Sequence, residues 1–211
     1  MFFKDCTLEQ LDKTFSLRPL RQISALEDWL KQSKKISILK REREYLLMLQ
    51  SYLQDNVFNW NETELAMHFI GPMFALVQFS YDHKFNLFAE RLFSGMVDGI
   101  EMSGRPDGMI ATGYREPDKP YFCFQEYKRE TDPNGDPAGQ ALAAMLTAQE
   151  SNEHQFPLYG CYVRGRQWFF IALQNKEYAI SEEYTATKED IFDILRVLKM
   201  LKQMMIERVN Q

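Results

Sequence analysis

Cysteine is scarce in this 211-residue chain: Cys6, Cys123 and Cys161 are all there are. Their number is odd and their spacings are long, which excludes a disulfide framework and a clustered zinc site. Cys123 and Cys161 lie in apolar, strand-like runs and read as small buried hydrophobes in a reducing compartment. Histidine is equally sparse; His68, His83 and His154 share no ligand spacing. No apolar run approaches membrane-spanning length, which argues against a membrane protein. The opening MFFKDCTLEQ has no basic segment followed by an apolar one, so the expected location is cytoplasmic. Positive charge is not in excess: net charge is -5, which argues against a general electrostatic grip on nucleic acid but leaves room for a local basic cleft. GxxxxGK, GxGxxG and GxSxG elements are absent, removing the commonest nucleotide-binding and serine-hydrolase signatures.

Aromatic residues, by contrast, are plentiful. Sixteen Phe and ten Tyr imply a ring-rich core or interface and not a disordered chain. Thr7 with Gln10, and Asn61 with Glu64, have the spacing of capping boxes at helix starts. Ser24 to Gln54 has a helical period, with Ser33 to Ser37 a point of interruption. Its lysines and arginines (Lys31, Lys34, Lys35, Lys40, Arg41, Arg43) read as a solvated face, with phosphate contact the alternative. Pro72 is expected to kink or divide the helix opened at Asn61. Leu92 to Gly104 reads as one or two strands with a turn, and a short strand runs to Ala111. YFCFQEYK is the clearest strand in the chain. DPNGD (Asp132 to Asp136) is a turn opening an Ala-rich helix. LYGCYV and QWFFIALQ form a strand pair joined at Arg164-Gly165-Arg166. Asp190 to Val209 is a helix with an apolar stripe from Ile191 to Met205. The stripe reads as core; its methionines leave a homodimer contact as the alternative. The whole reads as one α/β domain.

YFCFQEYKRE also contains chemistry. Alternation sets Phe122, Phe124, Glu126 and Lys128 on one face, and Tyr121, Cys123, Gln125 and Tyr127 on the other. Glu126 and Lys128 therefore emerge together where a buried strand leaves the core, an expensive place for charge. Asp107 follows a turn into the preceding strand. If these strands pair, Asp107 approaches Glu126, and a divalent cation relieves the repulsion between the two carboxylates. Oxygen donors without clustered Cys or His favour Mg²⁺ or Mn²⁺. Lys128 would assist an attacking water or steady charge on a phosphate. Arg105, Arg164 and Arg166 are candidate phosphate contacts, though a solvent-facing hairpin tip explains the last two nearly as well. Trp168 and Phe170 share one strand face and read as core packing in preference to base stacking.

Arg105-Pro106-Asp107 and Glu126-Tyr127-Lys128 resemble the motif of the PD-(D/E)XK restriction-endonuclease-like superfamily. Over residues 61–173, through NETELAMHFIGPMF, GRPDGMIA and the later strand pair, the chain resembles uncharacterised bacterial proteins related to the N-terminal nuclease region of type I restriction subunits. The resemblance implies an α/β restriction-endonuclease-like core (α-β-β-β-α-β, a mixed sheet flanked by helices) with extra N-terminal and C-terminal helices. It divides the single domain 1–211 into a helical extension at 1–56, the core at 57–175 and a closing helix at 187–210. It implies Mg²⁺- or Mn²⁺-dependent phosphodiester hydrolysis of DNA or RNA, with Asp107 and Glu126 holding the cation and Lys128 assisting. It further implies a helix glutamate, Glu62 in preference to Glu64, and a supporting glutamine, Gln140. The alternative is an inactive nuclease-like fold that binds nucleic acid or protein.

Overall fold

A computed structural model describes residues 1–130 and 135–210; the side chains of residues 120–126 lie outside that description. In chain order a 3-10 turn (Phe3–Asp5) precedes helix α1 (Leu8–Phe15), strand β1 (Arg18–Pro19), α2 (Ser24–Ser33) and α3 (Lys40–Asn56). Helix α4 (Glu62–Leu65) passes through a π turn (Ala66–Ile70) into α5 (Gly71–Val77). Strands β2 (Ser80–Tyr81), β3 (Phe85–Ala89), β4 (Phe93–Val97), β5 (Ile100–Gly104), β6 (Gly108–Thr112) and β7 (Pro120–Lys128) follow. Then come α6 (Pro137–Ser151), β8 (Leu158–Arg164), β9 (Gln167–Gln174), β10 (Glu177–Ile180), β11 (Tyr184–Thr185) and α7 (Asp190–Val209).

Local chemistry sets many of these boundaries. Thr7 Oγ1 accepts from Gln10 N–H at 3.3 Å while Gln10 Oε1 accepts from Thr7 N–H at 3.1 Å, closing the first capping box. Asn61 and Glu64 close the second at 2.9 and 2.8 Å. The expected 24–54 helix is two helices, broken after Ser33. There the buried Ser33 hydroxyl turns back to Leu30 O at 2.8 Å, and the next helix starts only where Glu42 accepts from Leu39 N–H. Pro72 does not divide its helix. The lost N–H is absorbed by the π turn just before it, and the chain stays helical to Val77. The Leu92–Gly104 region is the β4–β5 hairpin, closed by Asp98-Gly99 with both φ values positive (46° and 80°), as a two-residue hairpin turn demands. Strands β3 and β10 were not expected from the sequence.

The main sheet is mixed, in the order β1-β10-β9-β8-β7-β6-β3-β2, with β11 pairing on β9. Strand β7 runs antiparallel to β6 and parallel to β8, and α6 makes the crossover. One face of the sheet carries a core that includes Trp29, Leu46, Phe69, Trp168, Phe170 and the α7 stripe. Trp29 Nε1 donates to Val197 O at 3.0 Å, tying α2 to α7. Glu42 and Lys199 pair at 3.0 Å, tying α3 to α7.

The opposite face is dominated by α6, whose residues from Ala138 to Gln149 are all buried. Such a helix must be covered all round. The sheet covers one side, and the β4–β5 hairpin and the N-terminal segment cover the other. Close approach depends on small residues. A Cβ on Gly139 would stand 2.7 Å from the backbone of Cys6 and Thr7, and one on Gly95 would stand 2.9 Å from Thr147 Cγ2. The N-cap residue Asp136 serves both partners: Oδ1 accepts from Gly139 N–H at 3.0 Å and Oδ2 from Leu8 N–H at 2.8 Å. Residues 132–134 of the expected turn lie outside the described residues. Among the described residues no helix is long and apolar enough to cross a membrane.

The Gly139 contact is with backbone, which cannot rotate away. Gly139→Ala is therefore expected to lower stability in urea denaturation by about 1–3 kcal/mol, the usual penalty for overpacking. An unchanged midpoint would show that α1 is free to shift outward.

Candidate active site

Asp107 stands one residue before β6. Gly108 pairs with Gln125, and the same register carried back one residue sets the Asp107 backbone opposite that of Glu126. Tyr127 N–H donates to Asp107 Oδ2 at 2.6 Å, so the aspartate closes the end of the β6–β7 ladder with its side chain. The Glu126 side chain lies outside the described residues. Tyr127 is buried in the first core, its ring 6.4 Å from that of Phe74, whereas Lys128 faces the α6 side.

The charges around Asp107 do not balance. Burial pushes its carboxyl up to about 6; the Tyr127 N–H and the Lys128 cation pull it down less strongly, while Glu62 and Glu90 push it further up. Lys128 Nζ lies 3.3 Å from Glu62 Oε1, the lysine side chain 17% exposed and the glutamate 47%. Glu64 is spent on the helix cap, so of the two candidate helix glutamates Glu62 is the one beside Lys128.

Two cavities, each of about 370 Å³, meet this group of residues. Lys128 and the buried Gln140 wall the first, together with Arg105, Phe2 and Phe3. Asp107, Glu62 and Glu90 wall the second, against an apolar side of Met67, Phe74 and Leu87. Gly135 stands between Gln140 and Lys128: its Cβ would fall 3.0 Å from Gln140 Nε2 and 4.0 Å from Lys128 Cε.

The three arginines diverge. Arg105 Nη1 donates to Glu90 O at 3.0 Å. Arg164 is the β8 partner of Lys128. Arg166 is held by Glu130, with Nε 3.4 Å from Oε1 and its own N–H on Oε2 at 3.0 Å, and its guanidinium lies 5.4 Å from the centre of the Phe58 ring. Trp168 and Phe170 are buried in the first core, as core packing requires. His68 packs against Tyr52 and Trp60, His83 against Tyr114, and His154 pairs with Glu150.

Glu90 escaped the sequence reading. It follows β3, holds a left-handed backbone (φ 50°), and its N–H points to Asp107 O at 3.4 Å. Its signal in the sequence was the acid closing the FNLFA run, legible only once that run is seen as a strand.

Among the described residues no three His, Cys, Asp or Glu side chains gather closely enough to hold a metal ion. The Asp107 carboxyl, raised chiefly by burial and further by Glu62 and Glu90, is an oxygen donor of the kind a hard divalent cation takes.

No protein-family model matches the chain, and neither does any curated protein sequence. Among solved structures, a chain of a cryoEM structure of a DrdV–DNA complex aligns over 76% of this chain and 14% of that chain, at 16% identity and a TM-score of 0.45. This chain thus corresponds to a small part of that protein's length, and a likeness so loose bears on neither activity nor partner.

Because the folded-state carboxyl of Asp107 titrates above its unfolded value, the folded protein holds the proton more tightly. Its contribution is present at acid pH and is lost as pH rises through about 4 to 6. In chelator-treated buffer Asp107→Asn is expected to be more stable than wild type at pH 7.5 and to lose that advantage near pH 4. Thermal melts at both values check this; equal differences would mean the burial penalty is absent.

Proposed function

We propose that the chain is a metal-dependent phosphodiester hydrolase acting on DNA or RNA, with a restriction-endonuclease-like core. The order helix (α4 to α5), strands β3, β6 and β7, helix α6 and strand β8 supports the core reading, with the β4–β5 hairpin inserted after its first strand. The observation that carries the reading is the Asp107–Tyr127 hydrogen bond. It holds the aspartate of RPD against the backbone of EYK, on neighbouring strands, with Lys128 next in line.

In this reading Asp107 and Glu126 hold Mg²⁺ or Mn²⁺. The cation, when bound, polarises the phosphoryl oxygen and lowers the pKa of an attacking water. Tyr127 N–H fixes one Asp107 oxygen and leaves the other for binding. Lys128, steered by Glu62, orients the water or neutralises charge gathering on the phosphate. Gln140 packs from α6 and limits where the Lys128 chain can lie. The second reading, an inactive core that binds nucleic acid or protein, is favoured by one observation: Lys128 already has a carboxylate partner in Glu62.

Cleavage of labelled single- and double-stranded DNA and RNA with Mg²⁺ or Mn²⁺ separates the two. Wild type is expected to cut, with Asp107→Asn and Lys128→Met each slower by about 10²-fold or more. The same cations are expected to raise the melting temperature of wild type and not of Asp107→Asn. A folded wild type inert on every substrate, or an Asp107→Asn variant that cuts as well, contradicts hydrolysis at this site.

A further inference from the structure

Beside the candidate site, at the end of β8, an aromatic pair sits on the sheet face where α6 begins. Tyr162 and Phe169 are cross-strand partners, and their rings lie nearly parallel, 11° apart with centroids 4.6 Å from each other. The next pair toward the turn on the same face is Arg164 and Gln167. All four side chains are half-buried. With Gly135, Asp136 and Pro137 they wall a cavity of about 280 Å³. This face is the reverse of the one that buries Trp168 and Phe170; Tyr162 packs in part against the α6 core, while Phe169, Arg164 and Gln167 line the cavity with it.

We infer that Tyr162, Phe169, Arg164 and Gln167 form a stacking subsite for a base of single-stranded nucleic acid, on the strand that also passes Lys128. Three features favour that occupant. The two rings cover one face of each other, and an aromatic stack beside an arginine is a surface that a further base can extend, whatever its sequence. The cavity is at the small end for ligand pockets, sized for one planar group. It is continuous with the candidate site, because Arg164 is the β8 partner of Lys128 and Gly135 borders both places. The start of α6 is not the phosphate site: both Asp136 oxygens are engaged there, and the carboxylate would repel an anion. In this reading Arg164 lines the cavity as its cation, while the rings receive the base.

The inference rests on the proposed action on nucleic acid, but it can fail separately. The full chain carrying Asp107→Asn, in chelator-treated buffer so that no cation supports cleavage, is titrated with a fluorescent thymidine strand of about twelve nucleotides, within the span of one single-strand binding fold. A strand of equal length with abasic sugars serves as the control. The base-bearing strand is expected to bind about tenfold tighter or more. Adding Phe169→Leu or Tyr162→Leu should remove that preference, and Arg164→Gln should weaken both strands alike. A 2-aminopurine base in the strand should lose fluorescence on binding, and lose less with Phe169→Leu. Circular dichroism melts confirm that the variants fold. Absence of binding, equal affinity for the two strands, or a preference and quenching untouched by the ring substitutions overturns the subsite. Cleavage that depends on Asp107 with unaltered stacking would leave the hydrolase standing without it. Stacking without cleavage would leave the binding platform alone.

Discussion

A carboxylate in a protein interior is tolerated only where the surroundings answer its charge, and Asp107 is answered incompletely. One backbone N–H and one lysine favour its ionised form, while burial and two glutamates oppose it. The surrounding fold maintains this imbalance. The β6–β7 register sets the aspartate against the end of β7, and the helix starting at Asn61 brings Glu62 to Lys128. The left-handed turn after β3 keeps Glu90 alongside. A cation would supply the missing counter-charge, in keeping with the functional reading that the Asp107–Tyr127 hydrogen bond carries.

The scaffold holds this arrangement by burying α6 from both sides. The helix supplies Gln140, and its first turn is pinned to the N-terminal segment through Asp136 and Gly139. Position and stability are thus coupled. The contacts that complete the second core also fix where the wall of the Lys128 cavity stands. The side opposite α6 is apolar and extensive, so the strand ends can carry charge without the sheet depending on it.

Much of this was legible in the sequence because it is local. Capping boxes, the turn within Leu92–Gly104, the EYK strand and the stripe of α7 are written in spacings of a few residues. Strand β3 was not legible, since FNLFA is short and its burial alternates imperfectly (Phe85 and Phe88 are buried, Leu87 is not). With it went Glu90, whose nearness to Asp107 is a consequence of sheet pairing. Strand β10, EYAI, is only four residues long; it closes a hairpin with β9, and its other partner, β1, comes from the far end of the chain. The Tyr162–Phe169 pair was concealed by its neighbours, as the bulkier Trp168 draws attention to the opposite face. Asp107 itself was readable as a candidate, but its raised titration is a property of burial and of three-dimensional charge placement.

The most direct measurement is a crystal structure of the wild-type protein soaked in Mn²⁺ at neutral pH, with anomalous differences recorded. The account predicts one strong peak in coordination contact with the Asp107 carboxylate, at roughly 2.1 Å for a small divalent ion, bridged to β7 through Glu126. Manganese bound elsewhere, with Asp107 closed onto Lys128 or left bare, would contradict it.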